Sequence, residues 1–334
     1  MKQALLEIRG LVCRFPRPAG EVRAVDGLDL SVAPGRTLGL EGESGSGKSM
    51  TALSILGLVP APGEIVAGEV FFEGRDLLRL DAKALRKVRG KRIGTIFQEP
   101  DTALNPVFTA GDQIAEVLRI HDGLSRPEAR ERAVRLLARV GIADPARRAR
   151  QWPHQLSGGM RQRVMIAMAI ACEPRLLIAD EATTALDVTL QAQVLELVRG
   201  LCASTGMSAL WITHDLGVVA EIADEVAVVY AGRVVERAPT TELFESPRHP
   251  YTILMLRCLR ELALPAQGGR RPYAIGGSVP QGSAWSGGCA FRGRCPVATD
   301  RCGSPDLELG PAESEPNGGM HAVRCHHQEE ARGL

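Results

Sequence analysis

Long apolar runs are missing from this 334-residue sequence. The longest uninterrupted one, Val164 to Cys172, has nine residues, against the ~20 that a membrane-spanning helix requires. The chain is therefore not expected to cross a bilayer by itself. Net charge is nearly absent as well: Lys+Arg 40 against Asp+Glu 39 leaves +1, so bulk charge cannot drive non-specific binding to nucleic acid or anionic lipid. Lysine is scarce, five against 35 arginines with none after Lys91, so any lysine in a motif invites a specific question. MKQALLEIRG opens without an apolar leader or a small-residue cleavage site, and the expected compartment is the cytosol. In that reducing setting the eight cysteines are read as packing residues or metal ligands before disulfides. What remains is 45% hydrophobic and 24% charged, which excludes wholesale disorder, and the length points to two domains or to one large domain with an appendage.

Turn formers divide the chain. Apolar side chains at residues 4–9 and 28–33, set among Pro16, Pro18, Gly20, Pro34 and Gly35, predict short antiparallel strands. LGLEGESGSGKSMTALSILGL then reads as a strand at 37–41, a glycine-rich loop and a helix from Lys48. A hairpin is expected at 68–80 and a short strand from Ile93 to Phe97. Between about 105 and 155 the pattern turns helical and arginine-rich, bounded by Asn105-Pro106 and Trp152-Pro153, as in an inserted helical subdomain. From Ser157 a helix runs to about Cys172. The strand RLLIAD, a helix at 188–204, and the strands SALWIT, EVAVVY and GRVVER follow. Such alternation predicts a parallel sheet covered on both faces. After Leu264 glycine, proline, serine and cysteine dominate with little periodicity, so the tail is expected to be a separate module.

GESGSGKS, Gly42 to Ser49, fits G-x-x-x-x-G-K-[ST] and stands between a predicted strand and helix. Glycines let backbone N–H groups turn inward around an anion, and the helix N-terminus adds its partial positive charge. Lys48 is expected to reach the β- and γ-phosphates and Ser49 to ligate Mg²⁺. A plain glycine turn with a surface cation would more often carry arginine in this chain. Asp180 and Glu181 end the strand RLLIAD, on the side where ligands sit in open α/β sheets. Asp180 is expected to hold Mg²⁺ and Glu181 to polarise the attacking water as general base. His214 after SALWIT and Gln98 after IGTIF leave their strands in the same direction. Both are therefore expected to contact the γ-phosphate and the water.

LSGGMRQR, Leu156 to Arg163, completes the set. The sequence resembles the ATP-binding subunits of ABC transporters. The resemblance places the phosphate (Walker A) loop at 42–49, the Q-loop at Gln98 and the signature at 156–160. Walker B falls at 176–181, the D-loop at Ala185-Leu186-Asp187 and the switch at His214. It covers about residues 4–260. The fold it implies is an α/β, RecA-like P-loop core with an antiparallel β-subdomain and an inserted helical subdomain, plus a Cys-rich C-terminal module. The domains would be a nucleotide-binding domain at 1–260, with its helical subdomain at about 105–170, and an extension at 261–334. FQEPDTALNPVFT, Met160 at the fifth signature position and RHPYT at 248–252 narrow the resemblance to D-type subunits of oligopeptide and dipeptide importers. Nickel and glutathione importers share these features, so the substrate stays open.

The resemblance further implies that ATP is held by Gly42, Ser44, Gly45, Ser46, Gly47, Lys48, Ser49, Met50 and Gln98, and that Mg²⁺ is shared by Ser49, Gln98 and Asp180. Ser157, Gly158, Gly159 and Asp187 belong to the ATP site as well. Phe15, where the family places an aromatic, is expected to stack on adenine; its alternative is a core aromatic of the hairpin. Ala182 departs from the proline usual after the catalytic Glu, which removes a fixed φ beside Glu181. Ser157, Gly158 and Gly159 open a helix whose N–H groups suit a γ-phosphate. Family architecture puts them across a dimer interface. An isolated monomer is then expected to hydrolyse ATP slowly. The implied partners are a second, related ABC ATPase subunit, two transmembrane permease subunits and an extracytoplasmic substrate-binding protein, with no nucleic acid. The implied location is the cytoplasmic face of the membrane.

Cys289, Cys295, Cys302 and Cys325 form C-x5-C-x6-C-x22-C in a segment without an apolar core of its own. Thiolate coordination could organise it. Zinc, an iron–sulfur cluster and unligated thiols are all compatible with the residues, with His321, His326 and His327 as additional zinc ligands. Zinc prefers a tight C-x2-4-C pair, which is absent, whereas iron–sulfur ligation tolerates wider spacing. GCAFRGRCPVATDRC and HAVRC resemble the dipeptide-importer tail in which these cysteines hold a [4Fe-4S] cluster. Arg292, Arg294, Arg301 and Arg324 would offset the negative charge of its thiolates. Cys13, Cys172, Cys202 and Cys258 are expected to be packing residues. A soluble ABC ATPase acting on nucleic acid or the ribosome is the alternative function. The single motif set and the lack of sustained heptads weigh against it, and RKVRGKR at 86–92 reads more simply as an exposed helix end. A degenerate, non-hydrolysing subunit is disfavoured because Lys48, Asp180, Glu181 and His214 are all present.

Overall fold

The computed structural model describes residues 4–18, 20–98, 100–183, 186–263, 273–280, 287–304, 307–311 and 321–334. Two compact units share the chain. One is discontinuous, made of Leu6–Ser31, Leu38–Phe71 and His214–Leu334; the other is inserted within it, chiefly Phe72–Thr213 with Val32–Thr37.

In the discontinuous unit, strands β1 (Leu6–Arg17), β2 (Gly20–Val32) and β4 (Glu64–Phe72) hydrogen-bond in the order β2-β1-β4. Burial along β1 alternates in part, as on a sheet with one covered face. A second sheet has the order β11-β12-β10-β9-β3. Its strands are β3 (Thr37–Glu41), β9 (Glu225–Tyr230), β10 (Arg233–Pro239), β11 (Gly310–Pro311) and β12 (Ala322–Val323). All five residues of β3 are buried, and β3 runs parallel to β9 with Leu38 opposite Glu225. The expected parallel pairing stops at the next step. β9 and β10 are antiparallel because only Ala231 and Gly232 join them, both at positive φ (49 and 80°), a hairpin too short for a crossover. β12 extends β10 antiparallel, Val323 opposite Glu236.

Helices α1 (Lys48–Ile55), α9 (Leu216–Ile222), α10 (Thr240–Glu245), α11 (Pro250–Ala263) and α12 (Gln328–Ala331) complete this unit. Its core joins Val226, Val228 and Tyr230 of β9 to Tyr251 and Leu254 of α11 and to Val279 and Phe291 of the tail. The tail thus finds in β9 and α11 the apolar partners that its own sequence lacks.

The inserted unit carries β5 (Arg75–Asp76), α2 (Ala82–Val88), β6 (Ile93–Ile96), α3 (Pro100–Ala103), α4 (Ala110–Asp122), α5 (Arg126–Arg139), α6 (Pro145–Arg148), α7 (Gly158–Ala169), β7 (Leu176–Asp180), α8 (Val188–Thr205) and β8 (Ser208–Ile212). β6, β7 and β8 are parallel neighbours, Ile93 opposite Leu176 and Leu176 opposite Ser208. Their apolar runs are buried almost throughout, as helix-covered parallel strands must be. Local signals set the helix starts: Thr109 accepts from Asp112 N–H ahead of α4, and Ser125 and Glu128 form a capping box on α5. The RKVRGKR run covers the end of α2, and Lys91 and Arg92 in it engage Asp122 and Glu73.

Candidate functional site

The glycine-rich loop lies in the discontinuous unit between β3 and α1, as its spacing predicts. Gly47 adopts φ 103°, and a Cβ there would meet the Ala24 carbonyl oxygen at 2.1 Å. Only glycine permits this approach, so the loop is pressed against β2 by its sequence. Gly42 is equally confined, a Cβ standing 2.2 Å from the Val229 oxygen. Lys48 is buried and its Nζ donates to the carbonyls of Gly42 and Glu43. Ser46 is fully buried, and its Oγ has no hydrogen-bond partner among the described residues. A sequestered ammonium and an unsatisfied hydroxyl at the start of a helix are the groups that an anion cradle requires. Gly47→Ala is expected to weaken nucleotide binding at least tenfold in an equilibrium titration; retention of normal affinity would show that the approach to Ala24 is dispensable.

The inserted unit gathers the carboxylate and the glutamine. Glu181 follows β7, and its Oε2 accepts a 2.6 Å hydrogen bond from Gln98 Nε2 beyond β6. Two residues 83 positions apart meet because their strands are adjacent and parallel. Glu181 has φ 47°, a left-handed conformation uncommon outside glycine. Its N–H donates to Ile212 O at 2.8 Å, and buried Gln162 of α7 donates to the Ala182 carbonyl. Those bonds hold the turn that a proline would otherwise restrict. Asp180 ends β7, half-buried.

Ser157 caps α7, its Oγ accepting from Met160 N–H at 3.3 Å, with Gly158 exposed in the first turn. Asp187 caps α8 through Leu190 N–H at 2.9 Å. Its D-loop neighbour Ala185 lies outside the described residues. His214 is exposed just before α9, which Asp215 caps. Phe15 is half-buried, with its ring against Gly63, where a Cβ would come within 2.5 Å. Ser44, Gly45, Ser49 and Met50 lie in the loop and first turn of α1.

A separate cavity in the discontinuous unit is lined by Cys289, Cys295, Cys302 and Cys325, with Phe291, His326 and His327 among its other walls. Gly288 makes the convergence possible: Cys289 N–H donates to Cys302 O at 2.8 Å, and a Cβ on Gly288 would meet that same oxygen at 2.4 Å. Burial pushes the Cys289 thiol up, and those of Cys295 and Cys325 to about 11 and about 12, so without a cationic occupant these three stay protonated. Among the described residues no three His, Cys, Asp or Glu side chains are grouped closely enough to hold a single metal ion. His321 does not line this cavity. It is fully buried and bonded to Glu236 and Glu242, which removes it from the zinc ligands considered above. Arg294 turns away too, pairing with Glu43.

Sequence reasoning missed the ring of residues around Glu43. Tyr251 OH accepts from Glu43 N–H at 2.8 Å, so the tyrosine of RHPYT has a structural task beside the phosphate loop. Only the motif itself, otherwise unexplained, could have signalled it.

Comparison with known proteins shows the family. The family model described as ABC transporter matches residues 25–184. That of the oligopeptide/dipeptide transporter C-terminal region matches 235–302. The dipeptide transport ATP-binding protein DppD of Escherichia coli (strain K12) is 48% identical over 92% of this chain and 93% of its own. The oligopeptide transport ATP-binding protein AppD of Bacillus subtilis (strain 168) is 48% identical over 98% and 97%. Among solved structures, the dimeric ATP-binding cassette MJ0796 bound to ADP and Pi superposes with TM-score 0.64 and 28% identity, over 70% of this chain and 98% of that one.

Proposed function

Because the chain belongs to the ABC transporter family of ATP-binding subunits, we propose that it hydrolyses ATP to drive import of di- or oligopeptides through partner permeases. The observation that carries the catalytic half is the Gln98–Glu181 bond, a carboxylate at a strand end held by the glutamine of a neighbouring strand. The transport half is supported by the peptide-transporter C-terminal region and by relatives named for peptide transport. The same matches leave the nucleic-acid alternative without support.

In this reading the loop at 42–49 grips the triphosphate, with Lys48 on the β- and γ-phosphates and Phe15 beside the adenine. Ser49, Asp180 and Gln98 offer the oxygen donors that Mg²⁺ prefers, and the ion would neutralise phosphate charge. Glu181 takes the proton of the attacking water while Gln98 and His214 orient it. The N–H groups of Ser157, Gly158 and Gly159, with Asp187, complete the site of a neighbouring subunit. The dimeric relative supports such pairing. The neighbour is a related, non-identical chain, and an extracytoplasmic binding protein delivers the peptide to permeases that hold this subunit at the cytoplasmic face. Residues 261–334 form the importer-specific extension.

The four cysteines fit a [4Fe-4S] group. They line one cavity and would offer the four thiolates that iron–sulfur ligation uses. Cys289, Cys295, Cys302 and Cys325 would hold the group, whose chemistry here is that of a covalent clasp for an apolar-poor segment. Anaerobically purified protein is expected to be brown and to contain about four irons per chain; a colourless preparation with stoichiometric zinc would overturn this. The transport function is tested by reconstituting the co-purifying permeases and binding protein in vesicles. ATP turnover should rise with dipeptide and collapse when Ser157 is replaced. Turnover indifferent to peptides would refute the peptide assignment.

A further inference from the structure

Glu43 is a carboxylate inside an anion-binding loop, which is unfavourable unless something neutralises it. Both of its oxygens are taken by one residue: Arg294 Nη1 lies 3.0 Å from Oε2 and Nη2 3.0 Å from Oε1. Such a two-pronged pair fixes geometry as well as charge. The guanidinium is itself locked. Nε donates to Gly276 O at 2.7 Å, Nη1 to Tyr230 OH at 3.1 Å and Nη2 to Ile275 O at 3.3 Å, and it lies over the rings of Tyr230 and Phe291. Its side chain is 10% exposed, against 31% for Glu43, so water screens this pair less than a surface one.

The rest of Glu43 is also engaged. Its N–H donates to Tyr251 OH, and its carbonyl accepts from Lys48 Nζ and from Ser46 N–H, both at 3.1 Å. Arg294 stands next to Cys295 and its own N–H closes a turn onto Phe291 O at 2.9 Å. A contact spanning 251 positions therefore ties the cysteine-bearing segment to the phosphate loop.

We propose that Arg294 is a positioning residue of the phosphate loop. By neutralising and orienting Glu43, it makes ATP affinity depend on the C-terminal segment that carries it. The inference rests on residues 42–49 being the ATP loop. Removing the guanidinium leaves a bare carboxylate facing a polyanion, an interaction that weakens only slowly with distance where water is partly excluded. Removing both charges restores the balance.

The test is isothermal titration of the purified full chain with MgATP, thermal midpoints being recorded alongside. Arg294→Gln is expected to raise Kd about tenfold, and adding Glu43→Gln to bring it back within threefold of the parent. A merely damaged fold would not be rescued by a second substitution. The proposal is overturned if Arg294→Gln stays within twofold of the parent, or if the double variant binds as weakly as the single. Should Arg294→Gln not fold, Glu43→Gln is compared with the double variant: less than threefold between them supports the proposal and a tenfold gap overturns it. Lys48→Ala separates the two levels of argument, because undiminished binding there would remove the ATP-loop reading and this inference with it.

Discussion

Glu181→Gln is expected to lower ATP turnover by at least a hundredfold while leaving ATP binding intact and letting nucleotide-bound dimers accumulate. The amide keeps the shape of the carboxylate but cannot take a proton from water, and positioned general bases contribute about 10² to 10⁴ in rate. Gln98 bonds the carboxylate directly, so Gln98→Ala should lower turnover less, by loosening the base without removing it. The turn already holds Glu181 at φ 47°, a conformation that costs roughly 1 kcal/mol or more and is maintained by bonds to Ile212 and from Gln162. Single-turnover hydrolysis and filter-bound ATP measure the two halves separately. Unimpaired hydrolysis in Glu181→Gln would assign the proton transfer to another group.

Glu236→Ala should destabilise the discontinuous unit by about 3 to 5 kcal/mol, as when a buried charge loses its partner. Glu236 is fully buried and accepts three hydrogen bonds, from His321 Nε2 at 2.7 Å and from the N–H groups of Arg248 and His249 at 2.7 and 2.9 Å. One carboxylate thus fastens β10, the approach to α11 and the segment before β12. Burial alone would push the His321 imidazole down; hydrogen bonds and charge from Glu236 and Glu242 outweigh it, so its pKa lies above the ordinary histidine value. The sign of the linkage follows. Stability from the pair is complete below about pH 6.5, where the unfolded chain is also protonated, and is lost as pH rises through the higher folded value. Urea unfolding across that interval should show this slope in the parent and not in Glu236→Ala. A loss under 1 kcal/mol with an unchanged slope would place the stabilisation elsewhere.

Much of this was legible because it is local. β3, β7 and the start of α1 fall where glycine, apolar runs and Lys48 put them, and Ser157 caps α7 through a bond three residues long. Gln98 and Glu181 could be sent towards one ligand in advance because parallel strands bring their C-terminal ends to one side, but the bond between them is seen only in the structure. The antiparallel turn at Ala231-Gly232 departs from the expected parallel sheet, since two apolar runs give no direction of travel. Arg294 was assigned to offset thiolates because Cys295 adjoins it in sequence, yet its charge serves Glu43. Nothing local marks that pairing, nor the one between His321 and Glu236. Both depend on where the sheet carries its edge.

The interruption of the discontinuous unit by Phe72–Thr213 also has a temporal side. At about 5 to 20 residues per second of synthesis, β3 emerges roughly ten seconds or more before its partner β9 exists. During that interval five buried-type residues of β3 and the loop behind them wait without the hairpin on which they will rest. The inserted helices and strands, contiguous in the nascent chain, can settle first. Folding during synthesis is therefore expected to run from the middle outward, with the loop at 42–49 among the last parts to set.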